Sequence, residues 1–305
     1  MTIQIIRYRQ AGRGAAVGLR DGSGAVRPLD VPSIAHLLAM PLDELRRVVE
    51  STAGRPLDVP VDLLPPVDGH VEVWAAGVTY RRSNEARQEE SSSADVYARV
   101  YDAERPELFF KAPAWRVCGD GEPIGVRADS AVDVPEAELA VVCNAAGEIV
   151  GLTVCDDVSS RTIEGENPLY LPQAKIYSGS CALGPGIVPI WAAPDPGALD
   201  ITVTVRRAEA AGGAVAWTAR TSTALLHRTF ADLVGHLFRQ ATFPCGVVLS
   251  TGTGAVPDLD FTLLTGDVVT IEVPGVGTLT NPVRPADTFG WLTPDPDRAP
   301  GQDRP

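Results

Sequence analysis

Long apolar runs are missing from this 305-residue chain. No stretch approaches the roughly 18 residues of a membrane span. The opening MTIQIIRYRQAGRG reads as a short strand and a turn, without the apolar core and small-residue cleavage site of an export signal. Basic charge is scarce as well. Lys and Arg number 26 against 39 Asp and Glu, a formal net charge of −13. Nucleic acid and anionic membrane are thereby disfavoured as partners, because both need a basic face. The five cysteines are odd in number and form no Cys-x-x-Cys pair, so they read as reduced, buried thiols in a cytoplasmic protein. There is no phosphate loop, dinucleotide fingerprint or Gly-x-Ser-x-Gly elbow. His36, His70, His227 and His236 show no metal-ligand spacing, and no internal repeat is visible.

What is present is a β-rich pattern. Residues 1–65 read as a small N-terminal α/β unit, with strands at IQIIRY and AAVGLRD and short helices at SIAHLLAM and LDELRRVVEST. Ser33 is the expected N-cap of the first helix. PLDVPVDLLPPVDGH reads as a proline-rich linker. Residues 66–290 form the main domain, in which VEVWAAGV, VDVPEAELAVVC, EIVGLTVC, ALDITVTVRR and DVVTIEVPGVGTLTNPV fit strands. NEARQEESSSADVYARVYDAER and TALLHRTFADLVGHLFRQAT fit helices, the second with Leu225, Phe230, Leu233, Val234 and Leu237 at helical spacing. The tail 291–305 is proline- and charge-rich, a composition expected to be disordered. The mixture predicts an α+β fold with a large, bent sheet system.

One stretch conflicts with burial. In VDVPEAELAVV, a strand places Glu136 and Glu138 on one face, with Leu139 and Val141 on the other. Two adjacent carboxylates repel, and burying them costs several kcal/mol unless something compensates. Nineteen residues after Glu138, Asp157 closes the strand-like GLTVCDD. Together the three acids make an oxygen site of the kind that Mg²⁺ uses. Glu-x-Glu is also the pattern of a solvated strand face, and spacing alone leaves both readings open.

VPEAELAVV, GEIVGLTVCDDVSSR, LYLPQAKIYSGSCALGP and STGTGAVPDLDFTLLTGDVVTIEV, in that order, resemble the fumarylacetoacetate hydrolase family over roughly residues 70–285. The resemblance implies a mixed β-roll catalytic domain. It also implies Glu136, Glu138 and Asp157 as ligands of Mg²⁺, with Mn²⁺ as the substitute ion. Asp156 stands where the family usually has Asn. Hydrolases of the family carry Asn-Tyr-x-x-His followed by Glu to activate water. Here GVTYRRSNEAR keeps Tyr80 but has Ser83 and Ala86 at the His and Glu positions. Serine is no base near neutral pH without help.

That departure matches another branch. GVTYRRSNEAR, VYDAERPELFFKAP and SSRTIEGENPLYLPQAK resemble the branch that dehydrates 2-keto-3-deoxy sugar acids, of the 2-dehydro-3-deoxy-D-arabinonate dehydratase type. Its implied product from a pentonate is 2,5-dioxopentanoate, by enolate formation and loss of the C4 hydroxyl without an attacking water. Thr162 replaces that branch's Asp, so a shifted substrate preference is an expectation. Lys175 is implied as the base or as the holder of the substrate carboxylate, and Lys111 as a second catalytic lysine. Arg161 is expected either to pair with the metal-loop acids or to reach the substrate, and Thr253 lies in a glycine turn expected against the substrate, with Arg82, Ser83 and Glu90 on a segment folding over the site as a lid. The partner is a small 2-keto acid, and a homodimer or homotetramer is implied. Two other readings compete. One is C–C hydrolysis, decarboxylation or isomerisation of an acyl-pyruvate-like compound. The other is a non-enzymatic keto-acid sensor, against which the retained acids and Lys175 argue.

Overall fold

The run Ala137–Cys143 is apolar apart from Glu138, and every residue in it is buried. Leu139 and Val141 enter one apolar cluster, Ala140 and Val142 another. A strand buried on both faces loses the apolar–polar alternation of an exposed sheet and reads as a continuous apolar run. It therefore sits at the centre of the molecule, with core on either side.

The computed structural model of the chain describes residues 3–52, 54–90, 99–258 and 260–289; for 87, 89, 90 and 211 the backbone alone is described. The Glu90 side chain and the 291–305 tail lie outside the described residues, as do residues 91–98 of the expected 84–105 helix.

A large sheet runs in the order β3 (Val26–Pro28), β2 (Ala15–Arg20), β1 (Gln4–Arg9), β12 (Cys181–Pro189), β10 (Ile149–Asp157), β9 (Ala137–Cys143), β15 (Val247–Ser250), β5 (Glu72–Gly77) and β6 (Glu107–Pro113), with β4 (Asp62–Leu64) on β1. Its pairs are antiparallel except β15 with β5. A second sheet runs β14 (Val215–Ser222), β13 (Asp200–Arg206), β16 (Val268–Val273), β17 (Gly277–Pro285) and β7 (Ile124–Val126). A short pair joins β8 (Asp133–Val134) to β11 (Ser159–Ser160). The first apolar cluster joins Leu139, Val141 and Leu152 of the large sheet to Ile201, Val203 and Ile271 of the second. The other joins Val73, Val142 and Leu183 to Ile5, Leu19, Ile34 and Leu38 of the first 65 residues. Mixed sheets with few helices give the expected α+β class.

Two local expectations hold. Ser33 caps the helix Ile34–Leu38 by accepting the His36 N–H at 3.0 Å, and Leu42–Glu50 follows Pro41 with Asp43 and Glu44 in its first turn. Two others need correction. The expected 223–242 helix is only Phe230–Leu237, because Thr229 caps it by accepting the Asp232 N–H. Leu225 lies before it in a 3-10 turn and is exposed. The proline-rich linker is tied to the fold. Asp62–Leu64 pairs with β1, and Asp68 accepts the N–H groups of Ile34 and Ala35 at 3.0 and 2.8 Å.

Candidate metal centre

β9 and β10 form an antiparallel pair in which Cys155 opposes Glu138 and Asp156 opposes Ala137. That register brings the acids of two strands to one end of the hairpin. Oxygens of Glu136, Glu138 and Asp157 all lie within 4.8 Å of one another, and all three residues are buried. Backbone bonds fix the spacing. Asp157 N–H donates to the Glu136 carbonyl at 3.0 Å, and Glu136 N–H donates to Asp156 Oδ1 at 3.0 Å. Asp156 is thus a brace for the Glu136 backbone and stands outside the triad. An Asn would accept the same bond through its side-chain oxygen. Burial pushes the Asp156 carboxyl up to about 8.

Each acid has its own holders. Glu136 Oε1 accepts from Arg161 Nη2 at 2.9 Å, and Oε2 from Lys175 Nζ at 2.6 Å. Asp157 Oδ1 pairs with Lys111 Nζ at 2.5 Å, and Oδ2 with Lys175 Nζ at 3.3 Å. Glu138 Oε2 accepts from Ser250 Oγ at 2.6 Å and Gly252 N–H at 2.7 Å. Among the described residues Glu138 has no salt bridge. Burial raises its carboxyl well above the usual range, and the charges of Asp157 and Glu136 add to the shift. The cluster fits a hard divalent ion: three converging carboxylates, one of them lacking a cation, in an all-oxygen set.

Lys175 ends the short helix Leu171–Lys175 and is buried. Its ammonium also donates to Ser159 Oγ at 2.5 Å and lies 5.5 Å from the centroid of the Phe109 ring. Lys111, fully buried, donates to the carbonyls of Val158 and Lys175 at 3.0 and 2.6 Å besides pairing with Asp157.

The triad opens into a small cavity that is also lined by Lys175, Ser83, Thr253, Glu107, Phe109 and Glu164. Val78 lines it at φ 54°, a left-handed conformation that costs a β-branched residue about 1–3 kcal/mol. Gly252 has φ +92°, and a Cβ there would sit 1.9 Å from Thr79 Oγ1. Only glycine therefore lets this turn present its N–H to Glu138.

The residues expected at the site divide. Glu136, Glu138, Asp157, Lys175, Ser83 and Thr253 line one cavity. Lys111 and Arg161 stand behind it, bound to its acids. Arg82 stands apart, its guanidinium 3.7 Å from Asp258 at the surface. The substrate shift expected from Thr162 finds no support in the geometry. Thr162 Oγ1 accepts the N–H groups of Ala131 and Val132 at 3.1 and 3.0 Å, and the residue does not line the cavity. Sequence reasoning missed Glu107, Phe109, Glu164 and Ser250. The first two carried a signal, since Glu107, Phe109 and Lys111 alternate along β6 and so share one face. Glu164 follows Arg161 by three in the helix Arg161–Glu166, which puts both on one helical face.

A β-rich α+β domain with a buried three-carboxylate centre at the mouth of a strand hairpin defines a class of acid-centred, metal-binding folds. The chain belongs to the fumarylacetoacetate hydrolase family: the model for the fumarylacetoacetate (FAA) hydrolase C-terminal domain matches residues 72–284. A probable 2-keto-3-deoxyxylonate dehydratase of Haloferax volcanii is 46% identical over 256 residues, 83% of this chain and 86% of that protein. The 2-dehydro-3-deoxy-D-arabinonate dehydratase of Saccharolobus solfataricus is 42% identical over 228 residues, 73% and 75% of the two chains. A solved structure of 2-keto-3-deoxy-D-arabinonate dehydratase complexed with magnesium and 2,5-dioxopentanoate superposes with a TM-score of 0.79 at 34% identity, covering 93% of this chain and 99% of that one.

Proposed function

We propose that this chain is a Mg²⁺-dependent hydro-lyase that removes water from a 2-keto-3-deoxy sugar acid, giving 2,5-dioxopentanoate from a pentonate. One observation carries the reading from the site itself. The triad and Lys175 are intact, while the cavity wall carries Ser83 where a water-activating His would stand. Ala86, at the position of its Glu partner, is buried. The dehydratase relatives support the same chemistry.

Glu136, Glu138 and Asp157 hold the ion; an all-oxygen set also suits Mn²⁺. When bound, Mg²⁺ supplies Lewis-acid polarisation of a 2-keto acid. The chain's own side chains do the remaining work. Lys175 Nζ, oriented by Glu136 Oε2 and Ser159 Oγ, is the group placed at the substrate: as the ammonium it holds the carboxylate, or, once neutral, it takes the C3 proton and returns it to the departing C4 hydroxyl, which leaves as water. Lys111 is a positioning residue, because its ammonium is committed to Asp157 and two carbonyls. Arg161 holds Glu136 in place. Ser83 and Thr253 offer hydroxyls to the substrate from the cavity wall, and Arg82 serves the rim. Loss of the C4 hydroxyl needs no attacking water, so a serine at position 83 is compatible with turnover.

We read the active form as a homodimer or homotetramer, as implied by the family resemblance, and its location as the cytoplasm. Five free cysteines support the location, and among the described residues no helix is long and apolar enough to cross a membrane.

The test is turnover of 2-keto-3-deoxy-pentonate by the full chain with Mg²⁺, with and without EDTA, following 2,5-dioxopentanoate through a coupled semialdehyde dehydrogenase. EDTA-sensitive product is expected. Absence of product from metal-loaded protein would instead favour acyl-pyruvate chemistry on the same site.

A further inference from the structure

The proposed reaction moves more hydrogen than one base accounts for. Taking a C3 proton and the C4 hydroxyl from a 2-keto-3-deoxy-pentonate leaves a C3=C4 double bond conjugated to the keto group. The product 2,5-dioxopentanoate instead has CH₂ at both C3 and C4 and an aldehyde at C5. A C5 hydrogen must therefore leave as a proton, and a proton must come back to C3. Lys175 is anchored at the triad end of the cavity by Glu136, Asp157 and Ser159. Besides the triad, the described lining residues include two carboxylates, Glu107 and Glu164. Glu164 shares a helix with Arg161, which binds Glu136, and so belongs to the head end of the site. The strand β6 places Glu107 further along. Lys111 is fully buried and binds Asp157, Phe109 lies 5.5 Å from the Lys175 ammonium, and half-buried Glu107 comes next on the same face. Each two-residue step advances roughly 6–7 Å along a strand. The three side chains thus run outward from the metal end, in the direction in which a keto acid seated on the triad extends its tail. Gly77 stands opposite Glu107, and a Cβ there would collide with Oε2, so the glycine makes room for the carboxylate.

We propose that Glu107 is a second catalytic base, which carries a proton from C5 to C3 after water has left. The proposal rests on the reading of the triad as the seat of a 2-keto acid head group and of Lys175 as the group that takes the C3 proton. The Glu107 carboxylate takes one C5 hydrogen as a proton. The C5–H electron pair becomes the C5=C4 bond, the C4=C3 pair becomes the C3=C2 bond, and the C2=O pair moves onto the keto oxygen. Glu107 then returns the proton to C3 and the C2=O bond re-forms. The enol left at C5=C4 passes its O–H proton to water while C4 takes one from water, giving the aldehyde. No outside oxidant enters, because C5 is oxidised as C4 is reduced. A carboxylate accepts at about four positions, so a neighbouring side chain bound to one of them leaves it able to take a proton. A carboxylate is also the group that general-base catalysis next to an enolised ketone calls for.

The experiment has two parts. In the first, substrate deuterated at both C3 positions is turned over by Mg²⁺-loaded full chain, and early product is read by NMR. One C3 deuterium is expected to be lost with the departing water and the other kept. Retention of both means that C4 and C5 eliminate directly, and it overturns the proposal without any variant. In the second, Glu107→Gln should form 2,5-dioxopentanoate at least about 100-fold more slowly. It should bind Mg²⁺ as the wild type does and accumulate the unsaturated keto acid, lighter than substrate by one water and visible by its ultraviolet absorbance. Product at the wild-type rate overturns the assignment. So does a variant that folds and binds Mg²⁺ yet is slowed without any unsaturated acid. If metal-loaded wild type forms neither the unsaturated acid nor the product, the dehydratase reading itself fails.

Discussion

Three carboxylates share one buried site, and each is stabilised differently. Glu136 has two cations, Asp157 has two lysines, and Glu138 has a hydroxyl and an amide. Glu138 is therefore the acid most dependent on a bound ion. Glu138→Gln should abolish turnover and the thermal stabilisation by Mg²⁺. That stabilisation in the wild type amounts to about 2.7 kcal/mol at a hundred times Kd, a shift of several degrees. In EDTA the variant should melt at or above the wild-type temperature, since one like charge is gone. A melt of each protein with and without Mg²⁺ checks both halves, and a variant that still responds to Mg²⁺ removes Glu138 from the ligand set. Asp133 gives a second residue-scale prediction. Burial lifts its carboxyl from 3.8 to about 6, against bonds from Ser130 and the Arg127 backbone and the Arg127 charge. Between pH 4 and 6 the folded chain holds this proton more often than the unfolded one, so stability falls as pH rises and levels off above 6. Asp133→Asn removes that slope. Its advantage over wild type should grow from near zero at pH 4 to about 1–2 kcal/mol at pH 7, discounted for partial screening, in denaturant titrations across that range.

The β9–β10 hairpin and the turn after β15 build the site between them, and the turn is where one atom matters most. Gly252→Ala puts a Cβ against Thr79 Oγ1 at a left-handed φ. It should cost at least about 1–2 kcal/mol of stability and weaken Mg²⁺ binding by displacing the N–H from Glu138. Unchanged metal affinity by calorimetry would show that the turn does not govern Glu138. This scale also explains what could be read from the chain. Glu136, Glu138 and Asp157 stood out because charges interrupt apolar strands, but that pattern also fits a solvated face, and it was the family resemblance that implied a metal site. Ser33 was visible because a cap is a local bond. Glu107 and Glu164 were harder to read: their spacing from Lys111 and Arg161 puts them on the site-facing sides of a strand and a helix, but nothing local distinguishes such a glutamate from a solvated one. The 223–242 helix was overextended because apolar spacing continues through a turn that Thr229 and tertiary contacts interrupt. The tie between Asp68 and the helix at Ile34 joins residues 33 and 34 positions apart, beyond any local pattern.

At the scale of the molecule, the first 65 residues and the site-bearing strands share one sheet and one apolar layer. β1 pairs with β12, which pairs with β10, and Ile5, Leu19, Ile34 and Leu38 pack in the same cluster as Val142 and Leu183. Thermal unfolding should accordingly be a single transition that Mg²⁺ moves as a whole. Two separated transitions, only one of them metal-sensitive, would show that the N-terminal unit is energetically independent.

The hairpin that gathers the acids also keeps them together. Strand pairing, the Asp157-to-Glu136 amide bond and the Lys111 and Lys175 ammoniums are all supplied by the chain. An ion that does not knit the fold is free to leave it. The protein should survive repeated stripping and refilling by dialysis, and its resident ion is then set by supply: whichever of magnesium and manganese the surroundings offer in greater excess over its own dissociation constant will occupy the cavity.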